Sequence, residues 1–225
     1  MTIQRRDFLR SLLAAAALAG FGRPVFAQPS RRVGLGLLLD PGTPEGRGAC
    51  LGLDEAHRVG ELLHVEITSA PASDFALIGL TAPQEPKTLF LETAPQATPQ
   101  GWNVTASPAF RDKALDRFKD RKDLRVSDWH AGLMKFGAEE LNVRFRRRFG
   151  QPMDERSWHG WIAVKCAVEL ALRYPAGNPR EQIASLSLDG HKGMLLNFDP
   201  QDRHLIQPVY LIDPDGKLVE QVEPE

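Results

Sequence analysis

The side chains that could do chemistry do not stand at the spacings that catalytic or metal-binding motifs require. No two of the six histidines lie three or four residues apart, the spacing that puts two metal ligands on one helix face: His57, His64, His130, His159, His191 and His204. The sequence contains no GxSxG, HExxH, P-loop or GxGxxG motif. We therefore expect no catalytic residue, no metal site and no cofactor, and we do not expect an enzyme.

Three further chemically suggestive features have a simpler structural explanation. The segment Asp213-Pro-Asp-Gly216 lacks the additional ligands of a calcium loop and is interpreted as a tight turn. The glycines of residues 189–193 indicate a turn of special backbone geometry, with anion binding as the alternative. Cys50 and Cys166 stand in apolar helical patterns typical of buried free thiols, with a disulfide as the alternative.

The elements that must position any site follow an α/β pattern in the first half of the chain. An apolar run over 31–40 predicts a strand buried on both faces, and residues 47–60 predict a helix. Further strands are predicted over 62–67, 75–80 and 88–91. Strand, helix and strand in quick succession form a βαβ unit, which favours a parallel sheet.

The second half of the chain predicts helices followed by closing strands. The helices are expected over 113–125 (solvated and highly charged), 136–150, 157–174 (starting at Ser157) and 180–186. The strands are expected over 194–198, 205–212 and 217–222, the last two forming a hairpin. Pro208 cannot donate a backbone hydrogen bond, so it marks a sheet edge or a crossing point.

The first 27 residues have the order of an export signal. Arg5 and Arg6 precede a short apolar run, and Val25-Phe26-Ala27 supplies a small-residue cleavage site. The paired arginines resemble a twin-arginine signal, and the apolar run is too short to span a bilayer. We predict a twin-arginine-type signal peptide over 1–27 and a periplasmic location; the alternative is the start of a cytosolic helix.

The charge balance excludes the partners that a basic protein would have. The formal net charge is −1, and the predicted signal peptide carries four arginines and one aspartate, so its removal leaves a more acidic chain. Nucleic-acid binding needs a basic face. We therefore expect no nucleic-acid partner and no membrane insertion.

The C-terminal third carries motifs that resemble a known family. The stretches are Leu188-Asp-Gly-His-Lys-Gly193, Asn197-Phe-Asp199, Gln207-Pro-Val-Tyr-Leu-Ile212 and Asp215-Gly-Lys217. They resemble the ending of type I periplasmic solute-binding proteins, the branched-chain amino acid receptors of ABC importers. Residues 137–169 look most like the subgroup linked to pyrroloquinoline-quinone-dependent alcohol oxidation, and residues 31–56 are similar to the family's first βα unit.

This resemblance implies a fold and a division of the chain. The expected fold is α/β, a three-layer parallel-sheet sandwich of the type I periplasmic binding protein kind, with a C-terminal antiparallel hairpin. The chain is shorter than the family's members, so we expect a reduced structure that lacks material in the middle. After the signal peptide, an N-terminal α/β portion is expected over 28–110 and a C-terminal portion with the closing strands over 111–225.

The resemblance also implies a function and a site. We expect a periplasmic solute-binding component of an ABC-type uptake system, with a small organic solute and an ABC permease as partners. Thr43 and Glu45 follow the first strand, where open α/β sheets place ligands, and Trp129 and Trp158 offer flat apolar walls; core packing is the alternative for both tryptophans. The alternative is an interaction protein with no small ligand. It would be an accessory of a periplasmic quinoprotein alcohol dehydrogenase, or one half of a homodimer that restores the missing material.

Overall fold

The computed structural model of the protein describes residues 31–70, 73, 75–81, 88–94, 98 and 100–224. The predicted signal peptide over 1–27 lies outside the described residues. None of the described helices combines the length and the apolar composition that crossing a bilayer requires.

The described residues form five α-helices and eleven strands. The strands are β1 (Arg31–Leu37), β2 (Val65–Ala70), β3 (Ala76–Gly79), β4 (Leu89–Glu92), β5 (Trp102–Asn103), β6 (Arg125–Ser127), β7 (Ser187–Asp189), β8 (Leu195–Phe198), β9 (Leu205–Ile206), β10 (Val209–Ile212) and β11 (Leu218–Val222). The helices are α1 (Pro44–Leu63), α2 (Pro108–Asp116), α3 (Ala138–Phe149), α4 (Glu155–Arg173) and α5 (Pro179–Gln182), the last followed by a 3-10 turn at Ile183–Ser185.

A five-stranded parallel sheet in the order β2-β1-β3-β4-β5 forms the centre of the molecule. All four residues of β4 are buried, as a strand covered on both faces requires. The predicted α/β fold with a parallel sheet is confirmed. β2 begins later than predicted, because α1 continues through Leu63 and ends at His64, whose left-handed backbone (φ 56°) lets its N–H bond to Gly60 O.

Helices α1 and α4 cross at backbone contact. A Cβ atom added to Gly48 would lie 1.7 Å from Ser157 O, and one added to Gly160 would lie 1.9 Å from Glu45 O. Only glycine permits this approach, and it brings the first turns of the two helices together. The Asp154 side chain caps α4 by accepting a bond from Ser157 N at 2.7 Å, so the helix starts earlier than the predicted cap at Ser157.

Two antiparallel sheets complete the fold, in the orders β11-β10-β6 and β7-β8-β9. The predicted hairpin is β10–β11, which the turn at residues 213–216 joins. The predicted strand over 205–212 is two strands, β9 and β10, interrupted at Gln207 and Pro208. The helix predicted over 113–125 is wrong in its bounds: α2 starts at Pro108, capped by Ser107, and Arg125 already belongs to β6.

Buried apolar side chains form two cores. The larger core surrounds the parallel sheet and α4 and draws on residues from Val33 to Tyr210. The smaller core lies between α2 and the sheet β11-β10-β6 and consists of Ala106, Ala114, Leu124, Val209, Leu211 and Val222. The chain therefore passes between the cores three times, at residues 104–106, 127–129 and 207–208, which we call the connecting segments.

Both cysteines are free. Cys166 is buried in α4, and Cys50 is half-buried in α1. Burial raises the pKa of the Cys166 thiol far above its ordinary value, so that thiol is unreactive. The interpretation as buried free thiols therefore holds for Cys166, and the alternative of a disulfide is wrong.

Candidate functional site

A buried carboxylate ties the second connecting segment to its neighbours. Asp128 follows β6 directly and is 0% exposed. Its Oδ2 accepts a hydrogen bond from Ala106 N at 3.0 Å and lies 2.9 Å from His159 Nε2, and its Oδ1 accepts from Arg111 Nη1 at 2.6 Å. Buried charges persist in proteins when they are paired and hydrogen-bonded in this way.

Glu155 in the first turn of α4 extends this cluster. Its Oε1 accepts from Asp128 N at 2.7 Å and from Arg111 Nη1 at 2.9 Å. Arg111 also donates from Nη2 to Val126 O at 2.9 Å. One guanidinium from α2 thus joins two carboxylates and the backbone of β6.

The same cluster has the residue types of a metal site, but a positively charged side chain already lies among them. Ligand atoms of Asp128, Glu155 and His159 lie within 4.8 Å of one another. The guanidinium of Arg111 already bonds to both carboxylates, so a metal ion would meet a resident positive charge. Burial alone would raise the pKa of Asp128, but the hydrogen bond to His159 and the charges of His159, Arg111 and Lys192 together hold it well below its ordinary value. The arrangement is an internal ion-pair network.

Lys192 connects the third connecting segment to α4. It lies in the loop between β7 and β8 and is 1% exposed. Its Nζ donates to Gln207 Oε1 and, at 3.2 Å, to Pro208 O, and it stands 4.0 Å from the centre of the Trp158 ring. Gln207 Nε2 in turn donates to Val104 O of the first connecting segment at 2.9 Å. Burial lowers the pKa of Lys192 to about 7.

The two tryptophans predicted as ligand walls stack on each other. The ring centres of Trp129 and Trp158 are 5.8 Å apart at an interplanar angle of 9°. Trp129 Nε1 donates to Asn142 Oδ1 at 3.1 Å, whereas Trp158 Nε1 has no hydrogen-bond partner among the described residues. Both side chains are buried, so much of their surface serves the larger core.

A cavity of about 330 Å³ opens beside Trp129 and the ion-pair network. It lies between the end of β6 and the start of α4 and is lined by Arg125, Ser127, Trp129, His130, Ala131, Pro152, Met153, Asp154, Glu155 and Arg156. Its volume falls within the range of small-molecule sites, and its lining combines an aromatic ring with charges of both signs.

Glu45 does not line this cavity but pairs with Arg156, which does. The carboxylate is 2% exposed and pairs with Arg156, whose Nε lies 2.5 Å from Oε1 and whose Nη2 lies 3.0 Å from Oε2. Thr43 instead caps α1: its Oγ1 accepts from Gly46 N at 3.1 Å and donates to Asp40 O at 2.7 Å. The structure thus brings Glu45, Trp129 and Trp158 to one region and gives Thr43 a local role.

Sequence reasoning missed the charged residues of the network. Asp128 directly follows β6, an unpredicted strand, and Arg111 belongs to a helix that starts five residues before its predicted start. Lys192 lies in the turn that the glycines of residues 189–193 predict, and nothing in that pattern predicts its burial. Arg156 precedes the predicted helix cap at Ser157, so the predicted helical pattern does not include it.

Comparisons with known proteins concern the three-dimensional fold. No family model and no curated protein sequence matches the chain. A leucine-binding protein from Thermotoga maritima superimposes with a TM-score of 0.57 at 11% identity, over 86% of this chain and 99% of that one. A branched-chain amino acid ABC transporter periplasmic ligand-binding protein from Burkholderia xenovorans gives 0.58 at 11% identity, over 86% and 96%.

A third similar structure is an ABC transporter solute-binding protein from R. palustris, solved with 4-hydroxybenzoate. Its TM-score is 0.57 at 10% identity, over 86% of this chain and 96% of that one. Identities this low show likeness of fold alone. Together with the parallel sheet and the three connecting segments between two cores, these likenesses show that the chain has the fold of the type I periplasmic solute-binding proteins.

Proposed function

We propose that the protein is a solute-binding component of an ABC-type uptake system and that it binds a small organic solute in the cavity between β6 and α4. The observation that carries this proposal is the cavity itself, which lies beside the second connecting segment, where Ser127 and Trp129 line it. Similar structures include proteins described as binding leucine or solved with 4-hydroxybenzoate, which supports a small organic solute.

The lining of the cavity favours a solute with polar groups beside an apolar body. Arg125 lines one side, and Arg156 lines another while Glu45 holds its Nε and Nη2. The pair with Glu45 uses Nε and Nη2 of Arg156 and leaves much of its side chain exposed, so Nη1 can donate to a solute. Trp129, Met153 and Ala131 supply apolar surface.

Glu45 and Trp158 are proposed to act on the solute indirectly. Glu45 fixes the orientation of Arg156, and Trp158 supports the ring of Trp129 from behind. Thr43 is proposed to act through the start of α1, where it holds the turn that presents Glu45. All four predicted residues therefore remain part of the proposed site, in direct or supporting roles.

The proposal is tested by binding measurements on the purified chain. Native mass spectrometry of protein from the periplasm would reveal a retained solute, and calorimetry with amino acids and small aromatic acids would then give affinities. Arg156→Gln is expected to weaken binding at least about tenfold, since a charge-assisted hydrogen bond is lost. Arg121→Gln, at an exposed ion pair with Asp123 away from the cavity, is the matched control.

Two outcomes would overturn the proposal. One is a wild-type protein that retains no solute and binds none of the compounds tested. The other is an equal solute affinity of the Arg156→Gln and Arg121→Gln variants. That result would mean that the solute binds elsewhere on the molecule.

Narrower statements rest on the sequence and are proposed with it. They are export by a twin-arginine signal, a periplasmic location, contact with an ABC permease, and the link to pyrroloquinoline-quinone-dependent alcohol oxidation. Isolation of the protein from the periplasmic fraction, dependent on Arg5 and Arg6, tests the export prediction.

A further inference from the structure

A second cavity, of about 210 Å³, opens where the loop between β8 and β9 meets the start of α2. It is lined by Ser107, Phe110, Asp199, Asp202, His204, Leu205, Ile206, Gln207 and Pro224, and it shares no lining residue with the cavity between β6 and α4. Leu205 belongs to the larger core, and Phe110 packs against the smaller one. A molecule in the second cavity would therefore touch both cores.

His204 is the buried polar residue that points to a ligand in this cavity. It is only 5% exposed, yet its ring lines the cavity. The contacts of the ring with Thr105 O at 3.3 Å and Thr105 Oγ1 at 3.4 Å both use Nδ1. Because a carbonyl oxygen can only accept, Nδ1 carries the hydrogen of the neutral ring, and Nε2 is left with a lone pair for a hydrogen-bond donor.

The backbone around His204 holds this orientation. His204 O accepts from Asp199 N at 2.9 Å, and His204 N donates to Asp202 Oδ1 at 2.9 Å. The next residue, Leu205, donates its N–H to Thr105 O at 3.2 Å, which ties the loop to the first connecting segment. The acceptor is therefore in place before any ligand arrives, which lowers the entropic cost of binding.

Two carboxylates give the lining a negative charge. Asp199 Oδ1 accepts from Gln201 N at 2.7 Å and Asp202 Oδ1 from His204 N, so each carboxylate fixes the loop through one oxygen and keeps the other for a ligand. No lysine or arginine is among the described residues that line the cavity. Arg203 stands between them in sequence, but its guanidinium lies over the ring of Trp102, 5.7 Å from the ring centre.

The start of α2 does not turn the cavity into an anion site. Pro108 has no N–H, and the N–H of Phe110 already bonds to Ser107 Oγ at 3.3 Å. Gln207 is engaged by Lys192 and by Val104 O. The remaining lining is apolar and includes Phe110 and Leu205, so the cavity suits a cation with a short apolar body.

We propose that the second cavity binds a small organic cation, an amine or a guanidinium compound. Its N–H groups donate to His204 Nε2 and to the carboxylates of Asp199 and Asp202, and its apolar part packs on Phe110 and Leu205. Such donors match an arrangement of acceptors only, and hydrogen bonds between ionised partners are the stronger ones. The site is separate from the proposed solute cavity and does not depend on it.

Titration of the purified chain with butylammonium tests the proposal. The ¹⁵N resonance of His204 Nε2 is expected to shift to saturation, and calorimetry then gives the affinity; butyrate, of the same chain length and opposite charge, should cause no such shift. Asp202→Asn, which keeps the oxygen that accepts from His204 N, is expected to weaken butylammonium binding at least about tenfold. Asp215→Asn, an equal change of charge at an exposed position in the turn between β10 and β11, is the matched control and should bind like the wild type.

Three results would overturn the proposal. They are a His204 Nε2 resonance that butylammonium leaves unshifted, equal butylammonium affinities of the Asp202→Asn and Asp215→Asn variants, and butyrate binding as tight as that of butylammonium. The variant Arg156→Gln separates the two cavities, since it should weaken solute binding and leave butylammonium binding unchanged. If it weakened both alike, the amine would occupy the cavity between β6 and α4 instead.

Discussion

Asp128 keeps its charge in a fully buried position because donors from three different parts of the chain face it. Ala106 comes from the first connecting segment, Arg111 from α2 and His159 from α4. The attraction offsets the cost of dehydration only while all three donors remain in place. The residue therefore links the two cores as well as neutralising Arg111.

Asp128→Asn is expected to destabilise the protein by about 3 kcal/mol, since it removes the buried partner of the partly buried Arg111 guanidinium and of His159. Urea unfolding at pH 7 measures the change. Asp123→Asn, which removes an exposed ion pair, is the control and should unfold like the wild type. A loss no larger than that of the control would contradict the proposed role of Asp128.

The same residue predicts a pH dependence. The folded pKa of Asp128 lies below its ordinary value of 3.8, so the stabilisation is complete above that value and is lost as the pH falls toward the folded pKa. Asp128→Asn should therefore flatten the acid limb of a plot of unfolding free energy against pH. An unchanged acid limb would mean that other carboxyl groups cause it.

At the scale of elements, the crossing of α1 and α4 decides where the cavity lies. Gly48 and Gly160 let the helices touch through their backbones, which puts Glu45 at the start of α1 beside Arg156 at the start of α4. The ion pair and the cavity that Arg156 lines both depend on this close approach.

Gly48→Ala is expected to push the helices apart and to cost about 3 kcal/mol, because its Cβ would lie 1.7 Å from Ser157 O. Gly34→Ala is the matched control, since its Cβ would make only ordinary contacts, the nearest at 3.6 Å. Denaturant unfolding compares the two variants. Equal stability would show that the helices can separate without loss.

Thr43→Ala is expected to lower the stability by about 1 kcal/mol through the loss of the α1 cap. Thr43→Ser keeps the hydroxyl and should restore both stability and solute affinity, measured by unfolding and by calorimetry. If Thr43→Ala weakened binding with no change in stability, Thr43 would contact the solute directly.

At the scale of the whole molecule, two cores of unequal size share one buried polar junction. The larger core supports the parallel sheet, and the smaller core consists of six buried residues between α2 and three short strands. Each core contains residues of both predicted portions, 28–110 and 111–225, because the chain passes between the two cores three times. Polar groups at the crossings bond to the side chains of Asp128, Lys192 and Gln207.

Local patterns in the sequence were enough to predict the parallel sheet and the long helices. The apolar run at β1, the stripe of Leu141, Phe145 and Phe149, and the turn before β11 each depend on neighbours only a few residues away. The short strands β5, β6 and β7 were missed, because two or three residues carry too little periodicity. These strands form because of their pairing with β4, β10 and β8, which lie elsewhere in the sequence.

The sequence by itself determined the fold class, the closing hairpin, and four candidate ligand residues of which three meet in one region. Only the tertiary structure decided that Arg156 mediates between Glu45 and the cavity, a pairing across 111 positions of the chain. It also decided that Asp128, Arg111, His159 and Lys192 share one buried site. The physical reason is that a buried charge depends on partners distant in sequence, and no local period records them.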